Sequence, residues 1–168
     1  PRIRGHAEGA KTVRQIVTHC ARLGIEALTL YSFSTENWKR PREEVEFLMG
    51  LYVEYLIAER GTIMGNNVRF LHLGRRDGLP APVLDEMDRT VAMSAANTGL
   101  KLCLALNYGS RDEIVDAVRK LAERVRKGEL APSEIDTDAI SNSLYTAGLP
   151  DPDLLIRTAG ERRVSNFL

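Results

Sequence analysis

Short β-rich runs alternate with segments of helical periodicity along the chain, and this alternation most restricts what it can fold into. "IEALTLYSF" from Ile25, the run Val68 to Leu73, "LKLCLALNY" from about Leu100 and "DLLIRT" from Asp153 read as strands. Between about Ala7 and Leu23, Ala10, Val13, Ile16, Val17 and Cys20 share one side, and Gly24 ends the segment. Pro41 with Glu43 and Glu44 suits the start of a second helix, which runs to about Glu59. Val83, Leu84, Met87 and Val91 mark a third. "SRDEIVDAVRKLAERVRKG" predicts a fourth, with Ile114, Val115, Val118, Leu121, Ala122 and Val125 inward and Gly128 as the stop. A short helix is expected near residues 137–145. The order predicts an α/β fold, a mostly parallel central sheet flanked by helices.

The chain has 168 residues, no internal repeat and no Pro/Gly/Ser-rich linker, so one domain over 1–168 is expected. Its formal net charge is zero, which gives no reason to expect nucleic-acid binding. Cys20 and Cys103 stand alone in apolar-periodic segments, as small core residues of a reducing compartment. No apolar stretch approaches the roughly 18 residues of a transmembrane helix. No signal peptide is recognisable, and a cytoplasmic location is expected.

Three polar clusters follow expected strands: "STENW", "NYGSR" and "TAGERR". In open α/β sheets, ligands bind beyond the carboxyl ends of the strands. Arg157, Arg163 and Ser165 offer guanidinium and hydroxyl donors of the kind a diphosphate needs; surface ion pairing is the competing reading. His6, flanked by Gly5 and Gly9 and preceded by Arg2 and Arg4, stands at a helix start suited to an anion. There it either contacts phosphate, shuttles a proton, or makes only a local hydrogen bond. Ser34, Thr35, Glu36, Asn37, Trp38 and Arg40 form either a ligand loop or a capping loop, and Trp38 is the only tryptophan of the chain. In the helix after Pro41, Val45, Leu48, Tyr52 and Leu56 make one apolar stripe, and Phe47, Leu51 and Tyr55 another. A helix apolar on two faces is either fully buried or lines an apolar cavity. Burial at roughly 0.8 kcal/mol per CH₂ would draw a five-carbon unit into such a cavity by about 3–4 kcal/mol.

"GHAEGA", "LTLYSFSTENWKRP", "NYGSRDEI" and "DPDLLIRTAGERRVSNFL" together resemble the cis-prenyltransferases, in order and over the whole chain. The resemblance implies the α/β fold of that family and a homodimer. It implies an enzyme condensing isopentenyl diphosphate with an allylic diphosphate, usually farnesyl diphosphate. The product is a cis-polyprenyl diphosphate such as undecaprenyl diphosphate, precursor of a lipid carrier for wall synthesis. Association with a membrane surface would come through that product. Mg²⁺ is implied as the ion that assists diphosphate departure. By motif match, Arg157, Arg163 and Ser165 would bind isopentenyl diphosphate, and Arg2 and Arg40 the allylic diphosphate. His6, Ser34 and Asn37 would stand near the reacting centre, and Trp38 would place the allylic substrate. Leu48, Leu51, Tyr52, Val68 and Leu100 would line the product tunnel.

Departures from the family pattern bear on this. Ser110 stands where a second glycine is common, and Ala159 where serine or glycine is usual; Ser110 would be strained if its φ were positive. The family's aspartate-containing opening segment has no counterpart, nor does the metal-linked glutamate beyond "SNFL". The resemblance therefore implies a chain cut at both ends, with no metal ligands of its own and no turnover as it stands. Two other readings remain: a non-catalytic partner subunit of a heteromeric cis-prenyltransferase, and a generic phosphate-ligand α/β domain. The intact "STENW" loop weighs against the first, and the lack of GxGxxG or Walker patterns against a nucleotide in the second.

Overall fold

The computed structural model describes residues 2–158, 160 and 162–167, and the side chains of residues 2–8 and 10 lie outside that description. Residues Pro1–Asn107 and Tyr108–Leu168 form two compact units.

In the first unit, α1 (Arg2–Arg22) precedes β1 (Ala27–Ser34), and a 3₁₀ turn, Thr35–Lys39, leads to α2 (Arg42–Ala58). α3 (Arg60–Gly65) follows after one residue, so the helix expected to stop near Glu59 carries on as a second short one. β2 (Arg69–Leu73), α4 (Ala81–Ser94) and β3 (Lys101–Tyr108) complete the series. The sheet order is β1-β3-β2, and β2 runs parallel to β3 from Arg69 opposite Lys101 to Leu73 opposite Ala105. A parallel pair needs a crossover, and α4 supplies it. β3 is therefore central, and its side chains from Leu102 onward are mostly buried, as a strand covered on both faces requires.

The core joins Phe33 of β1, Val45, Leu48, Met49 and Leu56 of α2, and Val83 and Met87 of α4. The α2 face carrying Val45, Leu48 and Leu56 is buried, whereas Phe47 on the second stripe is exposed and Leu51 and Tyr55 only half-buried. Polar groups tie the layers together. Ser94 Oγ donates to Thr90 O and accepts from Phe70 N at 3.0 Å, while the Arg60 guanidinium meets Glu86 and Thr90. Cys103 is fully buried and its thiol is pushed up to about 11 by that burial, so it is an inert core residue.

In the second unit, α5 (Ser110–Arg126) turns Ala117 and Leu121 inward, and buries Glu113 as well. Ile114, Val115 and Val118, expected inward, are exposed. The inward stripe runs instead through 113, 117 and 121, because the Glu113 carboxylate is fully engaged. It accepts from Tyr108 Oη at 2.5 Å and from Tyr145 N at 2.7 Å. A buried carboxyl with a partner on each oxygen is satisfied in that position. The short helix is α6 (Thr137–Ser141), capped by Asp136 accepting from Ala139 N.

The strand expected at "DLLIRT" is not formed: residues 151–158 carry no ladder. Leu154 and Ile156 are 76% and 77% exposed. Three apolar residues make a strand only where a neighbouring strand accepts their backbone groups, and none does among the described residues.

His72, on β2, offers a test of this packing. Burial holds its pKa below the ordinary value; a hydrogen bond to Leu106 O at 2.9 Å and the Asp88 charge oppose this, and Arg76 adds to it. The unfolded chain thus binds a proton below about pH 6.5 that the folded chain refuses until lower pH. Stability is full above that value and falls as the pH drops through the window. Urea midpoints measured from pH 7.5 to 5 should decline, and His72→Gln should flatten the decline.

Candidate active site

Three strand ends of the first unit deliver loops to one place. The turn after β1 brings Thr35 and Trp38, the loop after β2 brings Arg75, Asp77 and Gly78, and β3 brings Asn107. Together they line a cleft of about 430 Å³. Strand carboxyl ends are the expected ligand edge, but the loop after β2 was read from sequence only as a connection. Arg75 and Asp77 are the cleft residues that sequence reasoning missed, while Asn107 opens the "NYGSR" cluster but had no role assigned to it. The signal for them was positional: "GRRDG" begins as directly after its strand as "STENW" does.

Asn107 organises the cleft. Its Oδ1 accepts from Trp38 Nε1 at 2.7 Å, and its Nδ2 donates to Arg75 O at 3.1 Å and Asp77 O at 2.9 Å. Its own carbonyl accepts from Arg75 N at 3.1 Å. Its φ is 55°, in the left-handed region where asparagine is among the few non-glycine residues found. Gly74 lets the backbones approach: a Cβ there would lie 2.3 Å from Leu106 O.

The "STENW" loop carries a capping contact and also borders the cleft. Asn37 Oδ1 accepts from Ser34 N at 3.1 Å, which is a capping contact. Trp38 packs edge-on to Phe33, ring centroids 5.0 Å apart, with the indole half-buried at the cleft. Arg40 donates to Glu44 at 2.8 Å in a solvent-exposed i,i+4 pair. Such a pair is weak. Tyr52 Oη donates to Ser32 O at 3.0 Å, and burial raises its pKa. Leu48, Val68 and Leu100 lie in the core, with Leu51 and Tyr52 packed against it. The side chains of Arg2 and His6 lie outside the described residues.

The second unit carries the arginine cluster by itself. Arg157 Nη1 donates to Arg163 O at 2.9 Å and to Ser165 Oγ at 3.2 Å, so the chain loops back and brings Arg157 to Ser165. Ser165 has φ 60°. The turn is fastened by Asn166, whose Oδ1 accepts from Ser110 Oγ at 2.9 Å and from Arg111 N at 3.1 Å. Ser110 is thus the first residue of α5 and has no positive φ; its hydroxyl has a use a glycine lacks. Phe167 packs on Tyr108, centroids 6.1 Å apart. Arg157 arrives on an irregular segment rather than a strand end. Among the described residues, no three His, Cys, Asp or Glu side chains converge as a metal site would require.

A sheet with loops gathered at the carboxyl ends of its strands, around an indole and an arginine, defines an α/β enzyme of the open-sheet class. The chain belongs to the cis-prenyltransferases: residues 1–168 match the family described as "Putative undecaprenyl diphosphate synthase". It is 50% identical to an isoprenyl transferase of Rhodopirellula baltica over 168 residues, all of this chain and 69% of that protein. It spans about two thirds of the length of such curated relatives, 65 to 69%. A lavandulyl diphosphate synthase from Lavandula x intermedia, solved with dimethylallyl diphosphate, superposes with TM-score 0.95 at 36% identity, covering 98% of this chain and 72% of that one. A probable undecaprenyl diphosphate synthase from Campylobacter jejuni gives TM-score 0.82 at 32% identity, covering 96% and 73%.

Gly74→Ala tests the loop geometry. The added methyl meets the β3 backbone and sits at φ 131°. Urea denaturation should show a loss of more than about 2 kcal/mol, far above a surface Gly→Ala change such as Gly61→Ala, whose Cβ meets nothing.

Proposed function

We propose that the protein carrying this chain condenses isopentenyl diphosphate with an allylic diphosphate to build a cis-polyprenyl diphosphate of the undecaprenyl kind. The observation that carries the reading is the match of the whole chain to the prenyltransferase family together with the gathered strand-end loops. In the condensation, a bond forms between the allylic C1 and the C4 of isopentenyl diphosphate. Diphosphate leaves the allylic carbon, and a proton leaves C2 of the attacking unit.

The chain's own residues bind and orient. Arg157, Arg163 and Ser165 hold the isopentenyl diphosphate head, with Arg157 exchanging its contacts to Arg163 O and Ser165 Oγ for phosphate oxygens. Arg40 turns from Glu44 to the allylic diphosphate, with Arg2 on the same side. Trp38 lays its face along the allylic chain, and Ser34, Asn37 and His6 stand near the reacting carbons to accept the proton or contact diphosphate. Leu51, Tyr52 and the core residues Leu48, Val68 and Leu100 guide the growing hydrocarbon.

Magnesium belongs to the family resemblance. The described residues do not fit a magnesium centre, Asp77 being the one carboxylate among the residues lining the cleft, and no step is derived through the ion. A homodimer in the cytoplasm completes the proposal; no helix among the described residues is long and apolar enough to cross a membrane. A non-catalytic partner subunit is disfavoured by the retained Ser34, Asn37, Trp38 and Arg40.

Transfer of radiolabel from isopentenyl diphosphate to a farnesyl primer by the full-length gene product, with magnesium supplied, should give a polymer. Arg163→Ala should raise KM for isopentenyl diphosphate at least about tenfold, as loss of a charge-assisted bond does, with a much smaller change for the allylic substrate. Equal changes in both would contradict the assignment.

A further inference from the structure

We propose that Asn107 is a positioning residue for the allylic substrate: its carboxamide sets the pose of Trp38 against the Arg75–Gly78 loop. This rests on the prenyl-transfer reading above. Asn107 is only 4% exposed, and both ends of its amide are used. A carboxamide is the short side chain that supplies an acceptor and two donors together. Here the acceptor goes to the indole N–H, and the donors go to two carbonyls of the neighbouring loop. The left-handed φ of 55° selects among the same few residue types. Two independent requirements therefore meet in one residue.

Loop attachment alone does not need the indole bond. Arg75 N already donates to the Asn107 carbonyl, backbone to backbone. The bond to Trp38 adds something else: it fixes the rotation of a half-buried ring whose other anchor, Phe33, is an edge-on contact. That ring lines the cleft. A reacting partner displaced by about 1 Å can lose about 100-fold in rate, so fixing the ring fixes the substrate. Asn107 touches no substrate in this scheme and acts through Trp38.

The test compares Asn107→Ala, Trp38→Phe and the double variant in the full-length gene product. Each single change should lower kcat/KM for the allylic diphosphate about tenfold, mostly through KM. The double variant should be no worse than the poorer single. Emission of Trp38, taken as the difference from the Trp38→Phe variant, should shift to the red in Asn107→Ala and become more open to acrylamide quenching. Additive losses, or unchanged emission, would overturn the proposal. If Asn107→Ala does not fold, Asn107→Asp replaces it, since the carboxylate keeps the acceptor for the indole. Trp38 emission should then stay at its wild-type position while Trp38→Phe still raises KM; a shifted emission or an unchanged KM overturns the proposal. A wild-type protein that makes no prenyl product defeats the prenyl-transfer reading, and the emission of the Asn107 variants still decides whether the amide sets the pose of Trp38.

Discussion

Asn107 closes the central strand in a left-handed conformation, and its buried amide joins that strand end to the two neighbouring loops. Removing it would leave two part-buried carbonyls and an indole N–H to find other partners or water. Gly74 is the other half of the constraint, because the approach of the β2 loop to Leu106 and Asn107 leaves no room for a side chain. The cleft exists because these two residues let three chain segments meet where parallel strands end. The rest of the first unit, with α2 and α4 packed around a buried β3, keeps those ends in register.

The second unit solves a comparable problem with different parts. Arg157 returns to Ser165 across a loop, and Asn166 fixes that loop to the start of α5 through Ser110 and Arg111. A helix N-terminus has orphan N–H groups to satisfy, and a side chain from fifty-five residues on supplies the acceptor here. The serine that departs from the family's usual glycine is part of that fastening. Buried Glu113 holds Tyr108 and the backbone at Tyr145 in the same unit and acts as a structural anchor.

Periodicity made most of the fold legible. α1, β1, α2, β2, α4, β3 and α5 all stand close to where their apolar patterns put them. It failed at "DLLIRT", where composition suggested a strand but no neighbour offers a ladder, and on α5, where counting apolar residues chose Ile114 and Val118 over the paired Glu113. At the site, the capping role of the "STENW" loop was readable from its residue types and holds at Asn37, and Trp38 lines the cleft. Arg75 and Asp77, and the bonds made by Asn107 of the "NYGSR" cluster, were not readable, because they join segments 30 or more residues apart. No local pattern encodes such bonds.

The central claim is that one amide poses the tryptophan for an allylic diphosphate, and the indole N–H of Trp38 reports on it alone. In a ¹⁵N-labelled sample this chain contributes a single indole resonance. It should exchange slowly with D₂O in the free protein and move in saturable fashion on titration with farnesyl diphosphate. An indole that exchanges at the rate of free tryptophan, or that stays unmoved at saturating ligand, would contradict the account.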